Sequence, residues 1–444
     1  MDQLSTLNVV LNPRPYENVS GKLLLVPLLP DSPPKITLPR EIWERVLAHA
    51  VRGAYEVGHL KDPLPRSQWC AELGTVCKTF SLIMPPLLFA HPVINSVPML
   101  QALAAKAMDG DARWDNLHRI EYSTPGRWIC SLDMANMSVA DDERLLFDSL
   151  LRLLIPLLPF LSSIHLNSRI RLSRGAYASL PRSRLRVFTG AVFDAPHLGP
   201  TAPAGAVDSV RTMYRSLQDP LVTFLRSCTA LEELELVPPT KDDDESDEED
   251  IFPIPDGAEQ ENHDPLEMPQ LRRLALLLKP DSPLVRLLAR SCLPNLHHLV
   301  LHAEVATSTT FLETHGTSLS ALALFVPPKT VVPGYPTHPL TSCPSLRHLI
   351  LPSSDISLHL EGRQTHPLVT LSVPKPAAHL LTTLESGCFP ALRVVQLREA
   401  RWLRRGVASQ ARITGVAGEM GRWRARLSRL GVKVLDADGR QEGA

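Results

Sequence analysis

The chain has 444 residues, of which 44% are hydrophobic, and its formal net charge is −1. This length allows two or three domains, or one small domain beside a repeat array, while the balanced charge excludes the global basic field that favours nucleic acid. Seven cysteines, an odd number without close pairs, exclude a disulfide framework, and 41 prolines favour many short elements over long helices.

The first segment, residues 1–35, is expected to be a partly disordered arm, because prolines flank its apolar run at 22–30. Its start lacks the basic region and apolar run of a signal peptide. The most apolar window, 145–161, is too short and too interrupted by charge and proline to span a bilayer. We therefore expect a soluble intracellular protein, cytoplasmic and/or nuclear, with no membrane partner.

Two amphipathic helical patterns lie within residues 36–94. In the first, Pro39 stands in the first turn, and Ile42 and Val46 recur at helical spacing. The second pattern places apolar residues at helical spacing and ends at a break formed by two prolines: Leu73, Val76, Cys77, Phe80, Pro85 and Pro86. Two short helices cannot bury such broad apolar faces against each other, so the pattern predicts a binding partner. The alternative is an ordinary N-terminal helical cap.

This order of residues resembles an F-box. The matching stretches are Leu-Pro-x-Glu-Ile-x-x-x-Val-Leu from Leu38, Leu-x-x-Val-Cys-Lys-x-aromatic from Leu73, and Pro-x-Leu-Leu-Phe from Pro85. The chain departs from the family in the long link at 53–70 and in Phe80, where the family usually has Trp. The resemblance implies a Skp-type adaptor as partner, and through it a cullin. The adaptor-facing or supporting residues that it implies are Leu38, Pro39, Ile42, Val46, Leu47, Val76 and Phe80.

A loose repeat, Leu-x-x-Leu-x-Leu, follows a helical segment at 99–107. Its seven copies begin at residues 231, 271, 296, 319, 346, 368 and 392, and weaker copies begin at 117, 161 and 185. After the first interval the spacings are 25, 23, 27, 22 and 24 residues, within the range of about 20–29 that leucine-rich repeats show. The expected fold is α/β: a short helical F-box module at 36–94, then an irregular leucine-rich-repeat solenoid with a parallel sheet at 95–435.

Each hexamer predicts a short strand whose first, fourth and sixth side chains point into the core. Its third and fifth side chains then face solvent on the concave side. The candidate substrate-binding residues on that side are Glu233, Glu235, Arg273, His298, Val300, His348, Ile350, Thr370, Ser372 and Gln396. Their mixed charge favours a protein or peptide ligand over a polyphosphate or a duplex.

Several connectors between the strands are predicted to be helical, notably 220–228, 283–292, 310–315 and 377–386, whereas 327–343 is not. Four cysteines stand shortly before hexamers, at 228, 292, 343 and 388. Copies one repeat or more apart point in parallel, so a shared metal ion is a poor explanation. We expect these small side chains to fill the turn into each strand.

The two ends of the repeat region carry opposite charge patterns. Residues 242–250 contain eight acids, inside a predicted disordered loop at 239–266, and Ser246 stands among them as a phosphorylation candidate. Ten arginines lie between Arg393 and Arg429. The favoured interpretation is a C-terminal cap, a helix at 420–430 with Trp423, Leu427 and Leu430 inward, then a last strand and a flexible tail at 436–444. The alternative is a surface for nucleic acid or an acidic partner.

The sequence contains no phosphate-binding loop, no dinucleotide fingerprint after a strand, no His-Glu-x-x-His and no Gly-x-Ser-x-Gly. The group His297, His298 and His302 is read as surface histidines along one strand. We therefore expect no enzymatic activity, no metal and no cofactor. The resemblance implies a substrate-recognition subunit of a cullin–RING ubiquitin ligase, whose repeats hold a protein substrate. A non-ligase repeat scaffold is the alternative.

Overall fold

The computed structural model describes residues 38–56, 66–112, 124–193, 220–238, 265–278, 282–308, 310–326, 339–356, 358, 360, 365–402 and 416–441. The chain divides into two compact units with a boundary between His59 and Leu60. The helix α1 is the described part of the first unit, and all other elements belong to the second. This boundary falls inside the predicted module at 36–94 rather than at either of its ends.

The described residues form fourteen α-helices and eleven strands. The helices are α1 Arg40–Glu56, α2 Arg66–Val76, α3 Lys78–Phe89, α4 Val97–Ala112, α5 Pro125–Trp128, α6 Arg144–Leu154, α7 Arg174–Ser179, α8 Pro220–Ser227, α9 Pro283–Arg290, α10 Ala303–Ser308, α11 Phe311–His315, α12 Pro339–Ser342, α13 Ala378–Glu385 and α14 Val416–Ser428. Single 3-10 turns lie at Asp141–Glu143, Ile155–Leu157 and Gly316–Ser318. The strands are β1 Ser131–Met134, β2 Ser163–Leu166, β3 Val187–Val192, β4 Glu233–Val237, β5 Arg273–Leu276, β6 His298–His302, β7 Ala321–Phe325, β8 His348–Ile350, β9 Thr370–Val373, β10 Val394–Leu397 and β11 Lys433–Leu435.

All eleven strands belong to one parallel sheet whose order is the order of the chain. Backbone rungs connect equivalent positions at the start of successive strands. For example, the Arg272 amide donates to the Glu232 carbonyl at 2.8 Å, and the His297 amide donates to the Arg272 carbonyl at 3.0 Å. The predicted α/β class and parallel sheet are thus confirmed, and each of the seven clear hexamers supplies one strand, β4 to β10.

The hexamer pattern forms the core. The side chains at the first, fourth and sixth positions of the seven clear copies are all at most 3% exposed. Burial of each leucine contributes about 1.5–3 kcal/mol, and only stacked neighbours can supply it. The weaker copies at 161 and 185 form β2 and β3, whereas the copy at 117 lies outside the described residues. Sequence reasoning missed β1, although Ile129, Leu132 and Met134 repeat the same spacing and are buried.

Four of the predicted helical connectors are confirmed as α8, α9, α11 and α13. The connector at 327–343 was predicted to lack a helix, but its end forms the single turn α12. Cys228 and Cys343 are buried as predicted, and burial raises the pKa of each thiol to about 12. Cys292 is exposed, so the prediction is wrong there. Its neighbour Ser291 points inward instead, donating to the Leu287 carbonyl and accepting from the Leu266 amide.

The helices before the sheet differ from the prediction in two places. Cys77 caps α3, with its sulfur accepting a hydrogen bond from the Phe80 amide at 3.5 Å, so the second helical pattern is divided into α2 and α3. The predicted break at Pro85 and Pro86 is wrong, because α3 continues through both prolines to Phe89. Each proline removes one helical donor. These two losses do not end a helix that buries Ile83 and Met84.

The chain flanks the first edge of the sheet and adds a helix and a last strand at its other end. The segment Ala90–Ile94 runs beside β1, with the Ala90 carbonyl accepting from the Ser131 amide and the Ile94 amide donating to the Asp133 carbonyl at 2.7 Å. At the other end α14 buries Trp423 and Leu427 as predicted. Leu430, predicted to point inward, is 51% exposed because the helix has already ended at Ser428.

The last described residues do not behave as the predicted tail. Asp436 is 3% exposed, and one carboxylate oxygen accepts hydrogen bonds from the Asp438 and Arg440 amides at 3.0 and 2.7 Å. Its other oxygen accepts from the Trp402 amide at 3.3 Å. The chain therefore stays ordered past Asp436, since this buried carboxylate fixes the turn that follows β11.

Candidate functional site

One face of the sheet, called here the open face, carries the third and fifth residues of each hexamer. The first row on it contains Glu233, Arg273, His298, Ala321, His348, Thr370 and Val394. The second row contains Glu235, Ala275, Val300, Ala323, Ile350, Ser372 and Gln396. This is the register that the hexamer pattern predicts. All ten candidate substrate-binding residues lie on the open face, and all except Ser372 are partly or fully exposed.

Ser372 is corrected from an exposed position to a buried one, with 4% of its surface accessible. Arg398, which follows β10, donates a hydrogen bond to the carbonyl of Leu351, which follows β8. The Arg398 side chain therefore passes over β9, the strand that contains Ser372. Burial lowers the pKa of the Arg398 guanidinium. The hexamer pattern could not show this cover, because Arg398 lies outside the hexamer.

The charge of the open face changes sign between β4 and β5. Glu233 and Glu235 stand on β4, and an ion pair at the junction joins Glu233 Oε2 to Arg273 Nη1 at 3.2 Å. From β5 to β8 the exposed charged or titratable side chains at the strand starts and in the first row are all basic: Arg272, Arg273, His297, His298, Arg347 and His348. Burial, then Arg273 and the neighbouring histidines, lowers the pKa of His298. The neutral ring of His298 is therefore favoured near pH 7.

A cavity of about 490 Å³ opens on the open face at the carboxyl ends of β1 to β4. The polar or conformationally special residues that line it are Asp133, His165, Asn167, Ser168, Thr189, Gly190 and Glu235. Of these, only Glu235 was among the predicted binding residues. Asp133 accepts a hydrogen bond from the Ala135 amide at 3.0 Å, but neither Asp133 nor Glu235 forms an ion pair with any described residue. The cavity therefore has acidic walls at both sides.

His165 lies at the floor of the cavity in a fixed orientation. Its Nε2 is 2.8 Å from the Ser163 hydroxyl, and its Nδ1 is 2.8 Å from the Thr189 hydroxyl. Each hydroxyl can donate or accept, so the chain of three side chains satisfies a neutral ring in either tautomer. The hydroxyls and the imidazole thus present a rigid polar floor.

The shape of the cavity depends on an irregularity in β3. The pairing register between β3 and β4 shifts between Phe188 and Ala191, and Gly190 in this bulge has a φ of 72°. A Cβ at Gly190 would lie 2.0 Å from the Leu166 carbonyl oxygen, so only glycine fits. The bulge inserts an extra residue opposite β4. The sequence signal was present in Leu-Arg-Val-Phe-Thr-Gly, where glycine replaces the sixth apolar residue.

The predicted adaptor-binding residues are divided between the two units, and each unit is considered by itself. In α1 and just before it, Leu38, Ile42 and Val46 are 39%, 41% and 46% exposed, and Pro39 is also exposed. Leu47 is buried at 4%, which leaves it a supporting role. In the second unit Val76 is 65% exposed and Phe80 is partly buried.

Other predicted features fall outside the described residues. These are the arm at 1–35, the acidic run at 242–250 and the phosphorylation candidate Ser246. The loop predicted at 239–266 ends earlier than expected, because Leu266 is fully buried and donates its amide to Ser291. His302, predicted to lie at the surface, is 3% exposed because its ring folds back to accept a hydrogen bond from the Glu304 amide at 3.3 Å.

No protein-family model matches the chain, and a search of curated proteins also finds no match. Among the described residues, no helix has the length and apolar character that a membrane crossing needs. Within the same residues, His, Cys, Asp and Glu side chains form no group of three or more that could hold a metal ion. Two features of the described residues are considered below as binding surfaces, namely the exposed apolar residues of the N-terminal helices, taken unit by unit, and the open face.

Proposed function

We propose that this chain is a substrate-recognition subunit of a cullin–RING ubiquitin ligase, with an F-box at residues 36–94 and a leucine-rich-repeat solenoid after it. The observation that carries the proposal is the exposure of the apolar residues that resemble the F-box motif. Ile42 and Val46 are exposed on a helix that also buries Leu47 and Val51, and Val76 in the second matching stretch is 65% exposed. Apolar side chains in such numbers indicate a protein partner, here a Skp-type adaptor.

The open face supports the second half of the proposal, the binding of a protein substrate. Eleven strands at about 4.8 Å spacing give a face on the order of 48 Å wide, with exposed acidic, basic, aliphatic and small residues. A surface of this size and mixed character suits a polypeptide. The chain would act as a receptor and leave the chemistry to other ligase subunits. Its seven free cysteines agree with an intracellular, reducing compartment.

The proposal is tested by co-purification with adaptor and cullin. Ile42→Asp places a charge where the adaptor contact is expected to be dry, and we expect adaptor recovery to fall at least tenfold. The matched control is Leu145→Asp, since Leu145 is 83% exposed on α6. Because both sites are exposed, circular dichroism should show both variants folded. Full adaptor recovery with Ile42→Asp would contradict the F-box assignment.

A leucine-rich-repeat scaffold without ligase coupling is the second candidate. It is favoured by the boundary between the two compact units, which lies between His59 and Leu60, inside the predicted F-box. Affinity purification with and without proteasome inhibition separates the two. A ligase receptor recovers adaptor and cullin, together with a client whose amount rises on inhibition. A scaffold recovers its partner proteins alone, in unchanged amounts.

A further inference from the structure

The cavity at the carboxyl ends of β1 to β4 is the most structured feature of the open face. Its volume of about 490 Å³ falls in the range of roughly 300–1,000 Å³ that binding pockets show. Its lining is mixed, because Asp133, His165, Thr189 and Glu235 lie beside the apolar Leu166 and Val237. A ligand for this cavity must therefore combine an apolar stem with a polar group that suits carboxylates, hydroxyls and an imidazole.

We propose that this cavity binds one cationic side chain, the ammonium of a lysine or the guanidinium of an arginine, from a protein segment that lies across the open face. The inference rests on the proposed function, because it defines the kind of substrate that the receptor would hold. Asp133 on β1 and Glu235 on β4 lie three strand spacings apart, about 14 Å at 4.8 Å each. The cation therefore lies over His165 and Thr189 and pairs with one of the two carboxylates, while the other adds to the negative field around it. Neither carboxylate is neutralised by an ion pair with a described residue, so the charge of the cavity remains available to the ligand.

The residues at the floor of the cavity favour a ligand group that donates several hydrogen bonds. His165 is already hydrogen-bonded at both ring nitrogens, and the hydroxyl oxygens of Ser163 and Thr189 retain capacity as acceptors. Asn167 is also committed, since its Nδ2 donates to the Ala135 carbonyl at 2.9 Å and its Oδ1 accepts from the Arg169 amide. The groups left to a ligand are mainly acceptors. An ammonium or guanidinium supplies several donors and no acceptor.

The neighbouring strands add a second requirement for the bound segment, which is negative charge. From β5 to β8 the face is basic through Arg272, Arg273 and Arg347, and its histidines add positive charge when they are protonated. From the point midway between β2 and β3, where the cation lies, to the middle of β5 to β8 there are about four strand spacings, about 19 Å at 4.8 Å each. An extended segment crosses this distance in about six residues. The bound segment therefore carries a lysine or arginine in the cavity and acidic residues about six positions away. Such complementarity mainly determines specificity and association rate.

The test uses the full chain and a phage-displayed library of random 12-residue peptides, selected at low ionic strength. We expect enrichment of Lys or Arg at one position and of Asp or Glu about six positions from it. The Asp133→Asn/Glu235→Gln double variant keeps the shape of the cavity and removes its charge. It should bind the selected peptides at least tenfold more weakly by fluorescence anisotropy.

The matched control is Asp142→Asn/Glu313→Gln, which removes two exposed carboxylates outside the open face and should bind within twofold of the original chain. Selected peptides without a basic residue, no enriched peptide at all, or equal loss in both double variants would each overturn the proposal. Adaptor co-purification of the original chain is measured in parallel. Adaptor recovery without an enriched basic peptide overturns the cavity proposal alone, whereas an enriched basic peptide without adaptor recovery overturns the ligase assignment alone.

Discussion

Apolar residues of the same types are buried in the sheet and exposed on the N-terminal helices. In the sheet Leu274, Leu299 and Leu322 follow one another across three strands and are at most 1% exposed. In the helices Val76 and Leu82 are 65% and 67% exposed. Each inner strand of the sheet is flanked on both sides by strands of the same chain, and the segment Ala90–Ile94 flanks β1. The N-terminal helices are not part of such a series of flanking elements. Their exposed apolar residues are therefore available to another polypeptide.

The largest expected effect contrasts two leucines. Leu299→Ala in β6 should lower the free energy of unfolding by about 2–5 kcal/mol, because it leaves a cavity between stacked strands. Leu82→Ala on α3 should cost less than about 1 kcal/mol, because its side chain is mainly exposed. Urea unfolding followed by circular dichroism measures both. Equal shifts in the unfolding midpoint would show that α3 is sealed as tightly as the sheet.

The next effect concerns the bulge that shapes the cavity. Gly190→Ala meets the Leu166 carbonyl oxygen and must also adopt a positive φ, so we expect a loss of at least about 2 kcal/mol, larger than strain alone gives. Gly387 has a similar φ of 82° but no atom within 4 Å of an added Cβ. Gly387→Ala is therefore the matched control, with an expected loss of about 1–2 kcal/mol.

Both glycine variants are compared by urea unfolding and by binding of the library-selected peptides. Only Gly190→Ala should also weaken peptide binding, because only it changes the pairing between β3 and β4. A Gly190→Ala variant as stable as Gly387→Ala, with unchanged peptide binding, would contradict the role given to the bulge.

A smaller effect is expected at the last turn of the chain. Asp436→Ala leaves the amides of Trp402, Asp438 and Arg440 without their acceptor, at a cost of about 1–3 kcal/mol. Asp438→Ala removes only an exposed ion pair with Arg401, worth about 0–1 kcal/mol. Hydrogen exchange should show faster amide exchange in β11 for Asp436→Ala and little change for Asp438→Ala. Unchanged amide protection in both variants would show that the backbone alone, and not the Asp436 carboxylate, stabilises the turn.

The sheet could be predicted from the sequence because one apolar spacing is repeated and each copy buries its first, fourth and sixth residues in the core. Seven hexamers gave seven strands, with the register needed to place His298 beside Arg273. The prediction failed where residues other than leucine occupy the core positions. In β1 the pattern is Ile129, Leu132 and Met134, and a search for leucine alone passes over it.

The cavity could not be predicted in the same way, since it arises where the repeat is broken. Gly190 replaces an apolar core residue and shifts the register between β3 and β4, and Glu235 of β4 lines the same opening as Asp133 and His165. Asp133 lies 102 positions before Glu235 in the chain, and no local pattern connects them. Ser372 is a second case, because Arg398, whose hydrogen bond to Leu351 joins positions on either side of β9, lies outside the hexamer of Ser372.

The smallest expected effect is a dependence of sheet stability on pH. His315 and His366 are 6% and 4% exposed, and the Nε2–H of each donates to a carbonyl of a neighbouring repeat, that of Leu288 at 3.2 Å and that of Cys343 at 3.0 Å. Burial lowers the pKa of both rings. The Nδ1 of His366 is buried without a hydrogen-bond partner, so a proton added there would gain no acceptor.

Because their pKa values are lower in the folded chain, the unfolded chain binds these protons first as the pH falls. Stability is therefore full above the unfolded pKa of about 6.5 and decreases below it. His366→Gln keeps an N–H donor and cannot titrate, so the urea midpoint should fall less between pH 7.5 and pH 5.5 than in the original chain. The exposed His348→Gln is the control and should preserve the original pH dependence. Identical pH profiles for all three proteins would show that the buried ring of His366 is not a source of acid sensitivity.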